Sequence, residues 1–215
     1  MLGYLRDKGI RILMDLGCGY GVLSFIIADF IGAEKVYDID IDDQRLSLLN
    51  KIKSRSSAKE IITLQHDYCK PININEKVQL VTSLGSLEHV TCWDEVLENV
   101  KRVLDDEGYF LVSMPNLSSW ENRLALLLGY QPRDLEISRK KLYDVAPPFK
   151  NHGVAGHIKL ATLNAFKEYL VDNGFEIVMT RPLYNKQSLL VNFVDKIFYT
   201  PSLSRRFVVL ARKVR

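Results

Sequence analysis

Residues 10–32 read "IRILMDLGCGYGVLSFIIADFIG". An apolar run of strand length, Ile10 through Leu16, meets a turn in which Gly17, Gly19 and Gly21 alternate. The apolar stretch after it closes at Gly32 and has the character of a buried helix. Glycine costs about 0.5–1 kcal/mol against alanine in regular structure, so this clustering marks a backbone that turns sharply or admits a close neighbour. A glycine-rich turn from strand to helix presents main-chain N–H groups and a helix N-terminus to a ligand. In open parallel sheets, ligands sit at the carboxyl ends of the strands.

The same rhythm repeats outward. Strand-like runs "KVYDIDI" (35–41), "EIITLQHD" (60–67), "VQLVTSLG" (78–85) and "YFLVSMP" (109–115) alternate with helical patterns "DDQRLSLLNKIKSR" (42–55) and "CWDEVLENVKRVL" (92–104). Strands alternating with helices over short connections predict an α/β fold, a parallel sheet with helices on both faces. The rhythm breaks after Pro115, where residues 116–160 hold a helix, "SSWENRLALLLG", and a polar stretch ending "HGVAGHIKL". It resumes with the helix "TLNAFKEYLVDNG", capped by Thr162 and Gly174, and the strands "FEIVMT" and "RFVVLAR". The organisation expected is one domain over 1–215.

At 215 residues, 47% hydrophobic and 26% charged, the chain can bury one sizeable core. Its 29 basic and 26 acidic residues are mixed along most of the sequence, and a net charge of +3 gives no footprint for nucleic acid. Cys18, Cys69 and Cys92 are odd in number and widely spaced, so free thiols in a reducing compartment are expected. Arg6, Asp7, Lys8 and Arg11 precede any apolar run, which fits neither a signal peptide nor a membrane span; a cytoplasmic location is the expectation.

Two ligand classes suit the glycine turn. A dinucleotide site wants G-x-G-x-x-G/A, but the third position is Val22 counted from Gly17 and Ser24 counted from Gly19. The spacing D-x-G-x-G-x-G from Asp15 to Gly21 instead resembles motif I of the class I S-adenosylmethionine-dependent methyltransferases of small-molecule type. "VTSLGSLEHV" (81–90), "RVLDDEGYFLVSMPN" (102–116), "GHIKLATLNAFKEYLVDNGFEIV" (156–178) and "FVVLARK" (207–213) are similar to later stretches of that family, in the same order. The resemblance implies a Rossmann-like, seven-stranded, mostly parallel sheet with an antiparallel last strand, and 116–160 as an acceptor-side insertion. It also implies cover from an N-terminal helix or more. Here the first strand begins soon after Met1, so the expectation is a shortened chain or a lid from elsewhere.

The cofactor implied is S-adenosyl-L-methionine. Asp15, Gly17, Cys18, Gly19 and Gly21 would pass under its methionyl part, and Leu84 would stand where the fourth strand exits past the sulfonium. Asp40, after apolar Ile39 at the end of the second strand, matches the acid that accepts the ribose hydroxyls; its neighbours Asp38 and Asp42 read as solvated or capping. Asp67 matches the position meeting the adenine amino group, with Tyr68 beside the ring. Three positions depart from the pattern: Asp38 where glycine is frequent, Gln79 where aspartate often begins the strand, and "DDEG", in which only Gly108 remains of a usual glycine pair.

Methyl transfer is an in-line displacement whose electrophile the cofactor supplies, so no strict catalytic signature is required. His89 in the Leu-Glu-His turn is the first candidate base, followed by His157 and His152 in "NHGVAGHI", with Tyr143 a weaker candidate. Some quinone-pathway members bind a divalent metal near this turn; Ser83, Gly85 and Ser86 offer no further acid upstream, so no metal is expected. "SSWENRLALLLGY" suits a pocket for a lipid-like acceptor, and equally core packing or a dimer face, with core the safer reading. "SLLVNFVDKIFYTPSLSRRF", with Lys196, Arg205 and Arg206, reads as packing between the last two strands rather than as peripheral membrane contact. The function expected is methylation of a small molecule, lipid- and quinone-like acceptors included, at oxygen or nitrogen. The alternatives are a non-catalytic cofactor- or partner-binding protein and, disfavoured by the missing glycine, an NAD(P)-dependent oxidoreductase.

Overall fold

β1 (Ile12–Leu16) pairs in parallel with β2 (Lys35–Asp40) on one side and with β4 (Val78–Leu84) on the other. The computed structural model describes residues 1–147, 153–183 and 189–214, with the side chains of 189–192 excepted. β3 (Glu60–Gln65) continues the parallel set beyond β2, and β5 (Leu104–Pro115) continues it beyond β4. β7 (Arg206–Lys213) then runs antiparallel between β5 and β6 (Phe175–Leu183), giving the order β3-β2-β1-β4-β5-β7-β6. This is the seven-stranded, Rossmann-like sheet with an antiparallel last strand that the family resemblance implies.

Successive strand residues face opposite sides, so one sheet builds two cores. Leu13, Val36, Leu80 and Leu111 pack with α1 (Leu2–Arg6) and α2 (Val22–Ile31). Met14, Ile39, Val81 and Phe110 pack with α4 (Trp93–Val103) and α6 (Leu163–Asp172). α3 (Asp43–Ile52) lays Leu46 and Leu49 against Cys18 and Phe25; Asp42 caps it, accepting from the N–H groups of Gln44 and Arg45. Gln79 does the work of the missing aspartate: its side-chain oxygen receives the Ile12 N–H at 3.0 Å and so fixes the start of β1.

Four features depart from the sequence reading. α1 and α7 (Leu189–Ile197) are helices that the patterning did not single out. Cys69 and Cys92 are not free thiols but a disulfide, with Cα atoms 5.8 Å apart; only Cys18 is free, and it is buried. Far apart in sequence, the two sit in turns at the same edge of the sheet, one after β3 and one capping α4, which spacing along the chain does not show. Finally, α5 (Trp120–Leu127) is not core packing: it buries Glu121, Asn122 and Ala125 and leaves Leu124, Leu126 and Leu127 exposed.

Two positions where the family favours glycine carry a physical penalty. Glu107 holds φ at 62°, a left-handed conformation costing a non-glycine residue about 1–2 kcal/mol. Asp38 is not solvated but wholly buried in β2, with neither carboxylate oxygen hydrogen-bonded; burial and then the charge of Asp15 push its pKa up to about 7.

Glu107→Gly is expected to raise stability by about 1 kcal/mol, read from the urea midpoint with unchanged slope. Because the folded pKa of Asp38 lies above the unfolded value, its contribution is most favourable below about pH 4 and is lost as pH rises through about 7. Asp38→Asn removes that loss. Its unfolding free energy relative to the parent should gain on the order of 2–4 kcal/mol between pH 4 and 8, measured by chemical denaturation at each pH.

Candidate active site

The carboxyl ends of β1, β2 and β4 converge on the glycine turn. Gly17 has φ 73°, and a Cβ there would lie 2.1 Å from Ser86 Oγ, so only glycine lets β1 and the turn after β4 approach this closely. Gly21, at φ 74°, forms the left-handed N-cap of α2, and a Cβ on it would meet Leu49 Cδ1 at 2.6 Å. At Gly19 a Cβ would meet nothing within 4 Å, so the crown of the turn faces open space. The N–H groups of Gly17 and Cys18 both donate to Ile39 O, at 2.8 and 3.0 Å, and tie the turn to the end of β2.

Asp40, at that end, accepts the Gly19 N–H through Oδ2 at 2.8 Å and the Asp42 N–H through Oδ1 at 2.9 Å. A carboxylate offers about four acceptor positions, so two remain for a ligand's hydroxyl groups. Asp15, buried beneath the turn, accepts from Thr82 Oγ1 at 2.6 Å; burial raises its pKa to about 6 against the effect of that bond. Cys18 is raised by burial and by Asp38, Asp15 and Asp40, so its thiol stays protonated and is no nucleophile. Asp67 holds the Cys69 N–H at 3.0 Å and lies at the same edge. Tyr68 is buried under the turn, with its hydroxyl on Ser86 O at 3.1 Å and Ser86 Oγ at 2.8 Å. Leu84, at the end of β4, lines an apolar cavity of about 480 Å³ with Met1, Leu23 and Ile26.

A second cluster forms around the turn of 3-10 helix Leu87–His89. Glu88 is buried; its main-chain oxygen receives the N–H of Ile158 at 2.7 Å, and Oε1 receives Arg206 Nη2 at 2.8 Å. That anchor brings His157 to His89, their ring centroids 5.2 Å apart. His89 Nδ1 contacts Gly156 O at 3.0 Å and His157 Nδ1 contacts Asp134 O at 3.2 Å. A carbonyl only accepts, so both rings carry the proton on Nδ1 and leave Nε2 bare when neutral. Glu88 Oε2 is buried without a hydrogen bond. One atom each from Glu88, His89 and His157 lie within 4.8 Å of one another, a set able to take a substrate proton or to ligate a divalent cation. Counting acids upstream of the turn did not anticipate this, because His157 arrives from the far end of the insertion. His152 lies outside the described residues, and Tyr143 is exposed, 5.7 Å beneath the Lys141 ammonium.

A cavity of about 500 Å³ is walled by Trp120, Leu124, Leu128 and Val145, with Glu121 and Arg133 also lining it. Arg133, in its wall, directly precedes Asp134, whose carbonyl meets His157 Nδ1 at 3.2 Å; neither histidine lines the cavity itself. Burial lifts Glu121 to about 7, opposed by Arg133 and Arg205, which stand 3.6 and 3.8 Å from its oxygens. None of this network carries a local sequence signal.

A family model described as methyltransferase domain matches residues 6–146. Ribosomal protein L11 methyltransferase from Dictyoglomus turgidum is 33% identical over 110 residues, covering 51% of this chain and 34% of that protein. Demethylmenaquinone methyltransferase from Lactobacillus johnsonii is 30% identical over 106 residues, covering 48% and 43%. The chain thus spans under half the length of these curated relatives. A solved S-adenosylmethionine-dependent methyltransferase from Clostridium acetobutylicum superposes with TM-score 0.67 at 15% identity, covering 100% of this chain and 89% of that one, which speaks to the fold. With the family model over most of its length and this sheet beneath it, the chain belongs to the class I S-adenosylmethionine-dependent methyltransferases.

Proposed function

We propose that the chain transfers a methyl group from S-adenosylmethionine to an oxygen or nitrogen of a small, largely apolar molecule. The observation that carries this reading is the glycine turn, open at Gly19 and with acceptor capacity left on Asp40, together with an apolar cavity of about 500 Å³ walled by α5 in the segment that follows β5. One relative is named for a quinone acceptor, which agrees; another is named for a ribosomal protein, which makes the acceptor the first thing to test.

The residues of the glycine turn fit the cofactor. The open crown at Gly19 leaves room for its methionyl part, and Asp40 keeps acceptor capacity for the ribose hydroxyls. When bound, the cofactor supplies an electrophilic methyl carbon on a sulfonium. The chain's own task is then alignment, exclusion of water and removal of one proton. Residues 116–160 serve as the acceptor side: α5 walls the cavity, and His157 lies in the strap that Glu88 draws back to the sheet. The acceptor's oxygen or nitrogen bonds to the methyl carbon as the carbon–sulfur bond breaks, sulfur keeps that electron pair, and Nε2 of either histidine takes the acceptor's proton. Alignment alone supplies roughly 7–11 kcal/mol in well-oriented reactions, so the imidazole contributes the smaller part.

Asp40→Asn should weaken S-adenosylhomocysteine binding by about tenfold or more in titration calorimetry, with circular dichroism unchanged. The double variant His89→Ala/His157→Ala should lower turnover by about 100-fold, and each single variant by less, while leaving that affinity intact, assayed as labelled methyl transferred to acceptors from a lipid extract. Cofactor binding with no methyl transferred to any extract would favour the non-catalytic alternative.

A further inference from the structure

We infer that α5 and α7 form a docking face for an anionic lipid bilayer, through which an apolar acceptor reaches its cavity. The inference rests on the acceptor reading just given. α5 has its polarity reversed for a surface helix: Glu121 and Asn122 point inward, whereas Leu124, Leu126, Leu127 and the following Leu128 are exposed, Leu127 at 81%. α7 continues the face with Phe193 and Ile197, both more than half exposed, and Tyr199 just beyond. The two helices are held as one unit. Trp120 stacks on Phe198 with ring centroids 6.2 Å apart and donates from Nε1 to Asp195 Oδ1 at 2.9 Å.

Exposed apolar side chains on this scale mark an interaction surface, and its charge identifies the partner. Arg123 on α5 and Lys196 on α7 are exposed, as are Arg139, Lys140 and Lys141 in the loop that follows α5. Glu121 and Asp195 are turned inward to arginines, and Asp144 is the exposed acid there among the described residues. Apolar side chains beside exposed cations are the composition of an interfacial helix on anionic lipid, where each cation is worth about fivefold in partitioning. No described helix is long and apolar enough to cross a membrane, so the contact lies in the interface plane.

A second copy of the chain fits less well. A two-fold contact would cover the cavity walls formed by Leu124, Leu128 and Val194. Against a bilayer the same walls open toward the apolar phase, and an acceptor dissolved there enters without crossing water.

Co-sedimentation with vesicles of phosphatidylcholine, alone or mixed with phosphatidylglycerol, tests the inference. The parent should bind the anionic vesicles about tenfold or more tightly than the neutral ones. Leu127→Asp should lose about tenfold or more of that binding while circular dichroism and S-adenosylhomocysteine affinity stay unchanged; Phe193→Ser does the same from α7 and stands in should the first variant misfold. Equal pelleting of parent and variants, or no pelleting with anionic vesicles, overturns the inference. A dimer in sedimentation velocity that Leu127→Asp dissociates, without vesicle binding, overturns it in favour of self-association. Methyl transfer to an acceptor added in detergent is scored separately, so failure of the docking face and failure of the acceptor reading are seen apart.

Discussion

Everything at the functional edge depends on one clasp, the main-chain N–H groups of Gly17, Cys18 and Gly19 held by the end of β2. Ile39 O takes the first two and Asp40 the third. The bonds cross between the central strand pair, so the turn cannot move without lifting β1 from β2. Positive φ at Gly17 and Gly21 makes the geometry affordable, and the contact with Ser86 at Gly17 brings the turn after β4 into the same unit. A loop fixed at three points binds with little ordering cost, which is the form preorganisation takes in a parallel sheet.

Glu88 plays the corresponding part at the turn after β4. It is buried, yet its main-chain oxygen takes two N–H groups of the strap after the insertion, Ile158 and Lys159, and its side chain takes Arg206 from β7. Three segments remote in sequence thereby meet within a few ångströms, and the histidine pair is their product. Replacing the Glu88 side chain would leave the Arg206 charge without its carboxylate, whereas the main-chain bonds to the strap would persist.

The strands, the glycine turn and the acid at position 40 were legible because each rests on local pattern: apolar runs, φ-demanding glycines, and an acid at a strand end; the antiparallel last strand came from the resemblance to the family. The helices α2, α3, α4 and α6 announced themselves through apolar faces and caps such as Asp42 and Thr162. What escaped was tertiary. Cys69 and Cys92 meet because β3 and β4 end at the same edge, and His157 reaches His89 because Glu88 holds the strap. Asp38 reads as solvated by composition but lies wholly within β2, since register rather than polarity decides where a strand residue points.

α5 shows why patterning alone misleads here. Its leucines read as core because burying apolar surface is the usual driving force. The structure buries Glu121 instead, between Arg133 and Arg205, with Asp195 completing the set. Such a network is expensive to desolvate, and well-packed apolar residues at the same positions are often as stable or more so. Stability therefore does not account for it. Turning the charged side of α5 inward fixes Trp120 and α7 against the sheet and leaves the leucines for the cavity and the outer face. The helix gives up core contacts that its sequence could make and leaves apolar side chains exposed beside the cavity.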